Sequence, residues 1–247
     1  MSVSNIYSAD FYEVMVTDKY TQINAQLIIE EVLKYISPKS IIDVGCGVGQ
    51  YIKILEKYGI KGIGFDGPWV LKEKILIDRF NKIDLVKESL PKIKADLVLC
   101  LEVAEHLPKI RAESFIVELT AMSSIVLFSA AIPNQGGVNH INEQWQSYWV
   151  SLFEKNNYAA IDCLRPSLWN NKNVATWYKQ NMFFFVDKAK LNQFKKLKQF
   201  KNNTPVNIVH PDLFNKEKNI QFVIKTFTEI PEIVRNAIKH RKERRMN

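Results

Sequence analysis

The sequence predicts an α/β fold in which a mostly parallel sheet is covered by helices on both faces. Segments with strand composition alternate with segments of helical periodicity along most of the chain. The central strand candidates are continuous apolar runs, of which "ADLVLCLEV" is the clearest, and such runs are typical of strands buried on both faces. A glycine-rich turn joins the first strand to a helix, in the run "IIDVGCGVGQYIKILEKYG".

The helices are predicted from apolar positions that recur every three to four residues. In the first, "YTQINAQLIIEEVLKYI", this spacing runs until "SPKS" interrupts it, and the second ends at Gly59. The third is "RAESFIVELTAM", and the fourth contains several aromatic residues. The predicted helices are residues 20–36, 50–59, 111–122 and 142–157.

The strands are predicted from short apolar runs that lie between these helices and end in turn residues. Early in the chain these runs are "IIDV", "IKGIGF" and "FNKIDL", and two later ones, "YAAIDCLR" and "NMFFFVD", follow the last helix. The predicted strands are residues 41–44, 60–66, 80–85, 95–103, 124–131, 158–165 and 181–187.

The length and composition indicate one large domain, or one domain with an appendage. The chain has 247 residues, and 47% of them are hydrophobic, which is enough for a sizeable core. Apolar runs stay short of the ~18 residues that a membrane-spanning helix needs. The first residues show no signal-peptide pattern, and the three cysteines (Cys46, Cys100 and Cys163) are widely spaced, so we expect reduced thiols in a cytoplasmic protein.

The positive charge is concentrated at the C-terminal end. Residues 188–247 contain 15 Lys and Arg and 5 Asp and Glu, a balance of +10, whereas residues 1–187 contain 19 and 21, a balance of −2. We therefore predict a domain at residues 1–187 and a basic, helical extension at 188–247. The extension is either a solvated lysine-rich face, a dock for an anionic glycan, lipid surface or other partner, or a nucleic-acid contact. The near-neutral domain argues against nucleic-acid binding there.

Three glycines follow the first strand at alternating positions: Gly45, Gly47 and Gly49. A glycine turn at a strand end permits close backbone approach of a ligand. The dinucleotide fingerprint G-x-G-x-x-G would require a third glycine where Gln50 stands, so NAD or FAD binding fits less well. The remaining alternative is a turn that only packs a helix onto a strand. Asp43 precedes the loop, and Asp66 ends the next strand.

The D-x-G-x-G-x-G run followed by an acid 17 residues beyond Gly49 resembles class I S-adenosylmethionine-dependent methyltransferases. "EVAEHLP" after the fourth strand is similar to a signature of small-molecule and quinone-type O-methyltransferases in that family. The resemblance covers about residues 11–187. It implies a Rossmann-like fold with a mostly parallel seven-stranded sheet, and S-adenosylmethionine as the cofactor.

The resemblance also implies which residues contact the cofactor. Asp66 would accept both ribose hydroxyls, Trp69 would cover the adenine face, and Asp84 with the backbone of Leu85 would meet the adenine amino group and ring. The plainer interpretation of Cys46 is a small residue that fits the loop. The predicted cofactor-binding residues are Asp43, Gly45, Cys46, Gly47, Gly49, Asp66, Gly67, Trp69, Asp84, Leu85, Leu101, Glu102 and Val103.

A narrower resemblance concerns the acceptor. "HINEQWQSYWVSLFEKNNY", "RPSLWNN", "WYKQNMFFFV" and "VHPDLF" look like a subgroup of bacterial methyltransferases associated with glycan biosynthesis. This resemblance implies a saccharide or similar small hydroxylated acceptor. Trp145, Tyr148 and Trp149 are candidates for a wall that stacks on a sugar, or simply for core packing, because their spacing is helical.

Methyl transfer to a hydroxyl near neutral pH requires a base, and histidine is the usual one. Of the four histidines, His140 and His106 follow the fifth and fourth strands, so their loops open at the same sheet edge as the glycine loop. His140 is the first choice and His106 the second, while His210 and His240 are assigned no catalytic role. Glu143 or Glu102 would orient a histidine, although Glu143 also suits the start of a helix and Glu102 the cofactor pocket.

Three functions remain open for this chain. The leading one is an S-adenosylmethionine-dependent O-methyltransferase acting on a saccharide or similar acceptor. An N-methyltransferase acting on RNA or protein is the second, and "LEVA" in place of the tetrapeptide "NPPY" argues against it. The third is a non-catalytic, cofactor-binding scaffold in a glycan-assembly complex. A metal ion is not expected, although Glu102, Glu105 and His106 lie close in sequence.

Overall fold

The structure, a computed structural model, describes residues 9–201 and 205–215. The chain divides into two compact units, the first ending at Ile208 and the second beginning at Val209. In the second unit, residues 211–215 are helical. Most of the predicted C-terminal extension, including His240, lies outside the described residues.

The first unit contains the sheet and the helices that cover it. Its strands are β1 Ser40–Val44, β2 Lys61–Asp66, β3 Phe80–Lys82, β4 Leu97–Leu101, β5 Ile125–Ser129, β6 Tyr158–Ile161 and β7 Phe183–Asp187. Its α-helices are α1 Ala9–Thr17, α2 Lys19–Tyr35, α3 Gln50–Glu56, α4 Ala112–Met122, α5 Gln146–Lys155, α6 Leu164–Leu168, α7 Thr176–Asn181 and α8 Lys195–Lys198. Short 3₁₀ turns are formed by Lys72–Lys74, Ala104–His106, Lys109–Arg111 and Leu191–Gln193. Within the described ranges, no helix has the length and apolar character needed to cross a membrane.

The seven strands form a single sheet in the order β3-β2-β1-β4-β5-β7-β6. All neighbouring strands pair in parallel except β7, which is antiparallel to both β5 and β6. The predicted Rossmann-like, mostly parallel seven-stranded sheet is therefore confirmed. The strand order reverses between β1 and β4, and ligands of open parallel sheets bind at the carboxyl ends of strands at such a point.

Alternate residues of the central strands supply two separate cores. Ile41 and Leu127 pack in the cluster that contains buried residues of α2, α3 and α6. Their neighbours Ile42 and Val126 pack in the cluster that contains buried residues of α4 and α5. Both faces of the sheet are thus covered, which explains why the strands are apolar without alternation.

Most predicted elements differ from the structure by a few residues at their ends, and two of them differ most. The strand predicted to reach Arg165 ends at Ile161, because Asp162 Oδ2 accepts hydrogen bonds from Arg165 Nε (3.0 Å) and Nη2 (2.5 Å) and this buried pair closes a turn at the start of α6. The helix predicted from Asn142 begins only at Gln146. The helices α1 and α7 were not predicted from the sequence.

Residues 188–201 follow β7 directly and remain in the first unit. Leu191 and Leu197 are buried in the same core cluster as α2 and α3. The lysines between them, Lys195 and Lys196, are exposed, so this stretch is amphipathic with a basic outer face. The domain boundary after residue 187 and the role of the basic extension stay predictions.

Candidate active site at the carboxyl edge of the sheet

The glycine loop follows β1 at the point where the strand order reverses. Gly45, Gly47 and Gly49 have φ values of +75°, +55° and +86°, in the left-handed region that favours glycine. A Cβ on Gly45 would overlap the Val103 side chain, and one on Gly47 would lie 2.7 Å from Met15 Cε. The loop therefore needs glycine both for its backbone angles and for the space around it.

Asp66, at the end of β2, is tied to this loop. Its Oδ2 accepts a hydrogen bond from the Gly47 amide at 2.6 Å, and its Oδ1 accepts one from the Gly67 amide at 2.6 Å. Burial raises the pKa of Asp66, while these two amide hydrogen bonds lower it. The carboxylate therefore links the loop after β1 to the loop after β2.

Asp43, on β1, lies buried near Asp66. Its Oδ2 has no hydrogen-bond partner among the described residues. Burial, and secondarily the negative charge of Asp66, raises the pKa of Asp43 to about 8. The aspartate is therefore largely protonated at neutral pH in the absence of a ligand.

The other predicted cofactor residues occupy varied surroundings. The Trp69 ring packs directly against Gly67, where a Cβ would overlap it. The Cys46 thiol is buried, which raises its pKa well above the ordinary value and leaves it as a packing residue. Asp84 pairs with Lys87 at 2.9 Å, and the Leu85 carbonyl accepts from Arg111 Nε at 3.2 Å.

Leu101 ends β4, and Val103 lies two residues later. Both side chains are buried, and Val103 contacts Gly45 across the edge of the sheet. The end of β4 and the glycine loop are therefore in direct contact, as expected for two neighbouring parallel strands.

Between them, Glu102 adopts a strained backbone conformation and joins a buried network of amides. Its φ of +55° is uncommon for a residue with a side chain. Its Oε2 accepts from Gln135 Nε2 at 2.8 Å, and its Oε1 accepts from Asn181 Nδ2 at 3.4 Å. Burial raises the pKa of Glu102, and hydrogen bonds from Ser129, Gln135 and Asn181 oppose that rise. Gln135 and Asn181 were missed from the sequence, where no spacing connects them to Glu102.

Glu105 and His106 lie on the 3₁₀ turn that follows β4. Glu105 is completely buried, and neither carboxylate oxygen forms a hydrogen bond of normal geometry with another residue that the structure describes. Burial, and then the neighbouring Glu102, raises the pKa of Glu105 well above its usual range. The Glu105 carbonyl accepts from the Ile141 and Asn142 amides, both at 3.0 Å. The turn after β4 is thereby fastened to the loop that carries His140.

His140 and Glu143 face each other in the loop after β5. His140 Nδ1 lies 3.1 Å from Glu143 Oε1, and the two Glu143 oxygens also accept from the Asn134 and Gly136 amides at 2.8 Å and 3.0 Å. Glu143 lies outside α5, which begins at Gln146, so Glu143 does not cap this helix. Its hydrogen bonds instead shape the loop and orient the imidazole.

The two candidate histidines are adjacent. The His106 and His140 ring centroids are 4.9 Å apart, with an interplanar angle of 82°. His106 Nδ1 lies 3.2 Å from the Asn139 carbonyl oxygen. Burial, and then the neighbouring His140, lowers the pKa of His106 to about 4. His106 is therefore neutral near pH 7.

The aromatic residues at the start of α5 divide between core and surface. Trp149 is buried, with its ring centroid 5.3 Å from that of Phe128, so core packing describes it. Trp145 is 42% exposed. The prediction that Trp149 stacks on a sugar together with Trp145 and Tyr148 is therefore wrong.

A family model described as a methyltransferase domain matches residues 19–180, about two thirds of the chain. The chain belongs to this methyltransferase family. It is an S-adenosylmethionine-dependent methyltransferase of class I fold, as its sequence predicts. A search of curated proteins found no match to the sequence.

Solved structures share the fold of this methyltransferase at low sequence identity. A TehB-like methyltransferase from Corynebacterium glutamicum is 18% identical, with a TM-score of 0.52 over 75% of this chain and 98% of that one. The magnesium protoporphyrin IX methyltransferase of Synechocystis is 16% identical, with a TM-score of 0.50 over 74% and 90% of the two chains. An O-methyltransferase family protein from Burkholderia thailandensis is 10% identical, with a TM-score of 0.48, and this chain spans 60% of its length.

The cofactor edge of the methyltransferase has chemistry that fits S-adenosylmethionine. Each Asp66 oxygen accepts one amide hydrogen bond and retains lone-pair capacity for a ribose hydroxyl. Asp43 Oδ2, which has no partner within residues 9–201 and 205–215, is a buried acceptor at the end of the strand before the glycine loop and suits a cationic amino group. Asp66 would hold the ribose, and residues of the glycine loop and of the β4 end would hold the amino-acid part.

Proposed function

We propose that this methyltransferase transfers the methyl group to a hydroxyl of a saccharide or similar small acceptor, with His140 as the general base. The observation that carries the proposal is the contact of 3.1 Å between His140 Nδ1 and Glu143 Oε1. A carboxylate that accepts from Nδ1 keeps the proton there and leaves the lone pair of the neutral ring on Nε2. The imidazole then has the tautomer that a base needs.

The reaction requires little else from the protein. Bound S-adenosylmethionine supplies a methyl group already activated on a sulfonium. As the acceptor oxygen forms its new bond to the methyl carbon, His140 Nε2 accepts the hydroxyl proton. Glu143 stabilises the resulting imidazolium, and the rigid sheet edge positions the reactants.

His140 is a stronger candidate for the base than His106. Burial lowers the pKa of His106 to about 4, which makes it a poor proton acceptor near neutral pH. Glu143 is oriented toward His140, whereas His106 contacts a backbone carbonyl. His106 would then limit the space around His140 and position its ring.

The saccharide class is supported by the sequence resemblance of segments within residues 140–214 to methyltransferases associated with glycan biosynthesis. We also propose a cytoplasmic location, where activated sugar donors are available. The three cysteines are buried free thiols, which suits a reducing compartment.

The experiment pairs two single variants in a methyl-transfer assay against a pool of sugar nucleotides and free sugars. His140→Ala should lower turnover by ~10²–10⁴-fold while changing S-adenosylmethionine affinity by less than about twofold. His106→Ala should lower turnover less. The opposite order of the two losses would assign the base to His106.

Nuclear magnetic resonance of the product should find the new methyl group on oxygen. A methyl group on nitrogen would support the RNA or protein N-methyltransferase instead. Cofactor binding by calorimetry without transfer to any acceptor in the pool would favour the scaffold.

A further inference from the structure

Exposed lysines are concentrated at the edge of the sheet that lies opposite the glycine loop. The parallel strands β1, β2 and β4 begin at this edge, and the antiparallel strand β7 ends there. Lysines adjoin each of these four strand ends. They are Lys39 before β1, Lys57 and Lys61 before and at the start of β2, Lys94 before β4, and Lys188 and Lys190 after β7.

Hydrogen bonds join these segments into one continuous surface. The Lys61 amide donates to the Lys39 carbonyl at 3.1 Å, and the Lys39 amide donates to Asp96 Oδ2 at 2.8 Å. Lys196 Nζ donates to the carbonyl of Lys34, near the end of α2, at 2.8 Å. The basic edge is defined here as the eight exposed lysines at this end of the sheet, namely Lys34, Lys39, Lys57, Lys61, Lys94, Lys188, Lys190 and Lys196.

Acids at the same edge are fewer. Asp96 and Asp187 accept hydrogen bonds from backbone amides and so serve turns of the chain itself. Glu154 and Lys155, before β6, offset each other. The acids that remain against the eight lysines are Glu31, Glu56, Asp96 and Asp187, which leaves an excess of four positive charges.

We propose that the basic edge docks this protein on a bilayer surface that contains anionic phospholipids. Neighbouring strands lie ~4.8 Å apart, so the edge extends for roughly 20 Å from β2 to β7. Separate lysines spread over that distance match a surface of many mobile phosphates better than one small ligand. Clusters of about four to eight basic side chains are typical of proteins that bind anionic lipids.

The composition of the basic edge favours lipid over nucleic acid. The described residues contain three arginines, and none of them adjoins the amino end of β1, β2 or β4 or the end of β7. Arginine recognises phosphate through paired hydrogen bonds, whereas lysine acts as a point charge. Sites for single-stranded nucleic acid also present several aromatic faces on which bases stack.

Tyr58 is the one exposed aromatic side chain at this edge in the described part of the chain. It lies between Lys57 and Lys61, and its hydroxyl accepts a hydrogen bond from Gln26 Nε2 at 2.9 Å. Tyrosine rings are enriched at the headgroup level of membranes because they are amphipathic. A single tyrosine among lysines therefore suits a lipid surface better than a row of bases.

Docking through the basic edge would leave the active site accessible. Asp66, Glu102 and His140 follow the carboxyl ends of strands, at the opposite edge of the sheet. The acceptor would therefore reach the site from the aqueous side and not from within the bilayer. The docking proposal does not depend on the acceptor class or on the base proposed above.

The test measures co-sedimentation of the full-length protein with vesicles. Vesicles of equal parts phosphatidylcholine and phosphatidylglycerol should bind the protein, vesicles of phosphatidylcholine alone should not, and added salt should release it. The partition coefficient should fall more than ~100-fold in a basic-edge variant that carries Lys39→Gln, Lys61→Gln, Lys94→Gln and Lys190→Gln. Circular dichroism and the melting temperature of this variant should stay close to wild type, because all four side chains are exposed.

A second fourfold variant is the matched control. It removes the same charge from exposed lysines on the other side of the sheet, through Lys72→Gln, Lys82→Gln, Lys109→Gln and Lys172→Gln. Its partition coefficient on the anionic vesicles should stay within about threefold of wild type, because electrostatic attraction to lipid falls off within a Debye length of the surface.

Four results would overturn the proposal. The wild type could fail to bind the anionic vesicles, or the two fourfold variants could lose binding equally, which would assign it to net charge alone. Unchanged binding in the basic-edge variant would place the contact elsewhere on the chain. Tighter binding to a single-stranded oligonucleotide than to the vesicles at the same salt, lost in the basic-edge variant, would assign the edge to nucleic acid.

The outcome for docking is separate from the outcome for the proposed function. Methyl transfer to a sugar hydroxyl without vesicle binding would contradict docking alone. Vesicle binding that requires the basic edge, without transfer to any acceptor, would support docking and contradict the proposed function alone.

Discussion

The cofactor edge, with Asp43 and Asp66, and the proposed acceptor edge, with Glu102 and Glu105, each contain one buried and one half-buried acid, but different groups surround them. At the cofactor edge, Asp66 accepts from the backbone amides of Gly47 and Gly67. At the acceptor edge, Glu102 accepts from the side chains of Gln135 and Asn181. One edge is therefore built from local backbone, and the other from side chains that are distant in sequence.

The other acid at each edge, Asp43 or Glu105, has fewer hydrogen bonds. Asp43 has one oxygen without a hydrogen-bond partner, and Glu105 has two, among the described residues. One carboxylate oxygen of Glu105 lies within 4.8 Å of a ring nitrogen of His106 and of His140, whereas Asp43 lies beside the Asp66 carboxylate. Asp43 can therefore stay protonated until a cationic ligand arrives, while Glu105 is enclosed beside two imidazoles and the Glu102 carboxyl group.

The largest expected effect comes from Gly47→Val, which strains the backbone of the glycine loop at the cofactor edge. The valine side chain would overlap Met15, and the left-handed φ of +55° at this position is unfavourable for a β-branched residue. Calorimetry should detect no S-adenosylmethionine binding, while far-UV circular dichroism stays near wild type. A variant that fails to fold would mean that the loop serves packing alone.

Gly59→Val is the matched control for this prediction. Gly59 has a φ of +75°, and no atom lies within 4 Å of the position of its Cβ. The substitution therefore imposes similar backbone strain outside the glycine loop. It should lower the melting temperature but leave cofactor affinity unchanged.

Asp66→Ala should weaken S-adenosylmethionine binding by roughly 2–3 kcal/mol, because two charge-assisted hydrogen bonds to the ribose are lost. The measurement is calorimetry, with Asp78→Ala as a control that removes an exposed acid. NAD should not bind to either protein. Unchanged affinity in Asp66→Ala would remove this residue from the cofactor site.

The last expected effect is a change of slope, about 1 kcal/mol per pH unit, in the pH dependence of stability through Asp43. Burial raises its pKa to about 8, so the folded chain binds more protons than the unfolded chain between about pH 4 and pH 8. The free energy of unfolding contributed by this group therefore falls as pH rises through that window. Asp43→Asn should make the slope shallower by on the order of 1 kcal/mol per pH unit.

Urea denaturation of wild type and Asp43→Asn at pH 5, 6, 7 and 8 measures this difference. Glu102 and Glu105 also have raised pKa values, so the wild-type slope is a sum, and only the difference between the proteins reports on Asp43. Exposed Asp78→Asn should leave the slope unchanged. Parallel slopes in wild type and Asp43→Asn would show that Asp43 is ionised across the window.

The sheet and the glycine loop were predictable because the sequence patterns that indicate them each span only a few consecutive residues. The apolar run of β4 and the alternating glycines at 45, 47 and 49 can be recognised within ten residues. The helix ends were less predictable. The start of α5 shifts to Gln146 because Glu143 accepts hydrogen bonds from His140 and two loop amides instead of capping the helix.

By itself, the sequence determined a parallel α/β sheet, a glycine loop at its edge, and two acids after the first two strands, since periodicity and spacing encode each of these. Only the tertiary structure decided that His106 and His140 share one cluster with Glu105, and that Gln135 and Asn181 contact Glu102. The physical reason is distance along the chain. Contacts between residues tens of positions apart depend on strand order and loop hydrogen bonds, which no local pattern specifies.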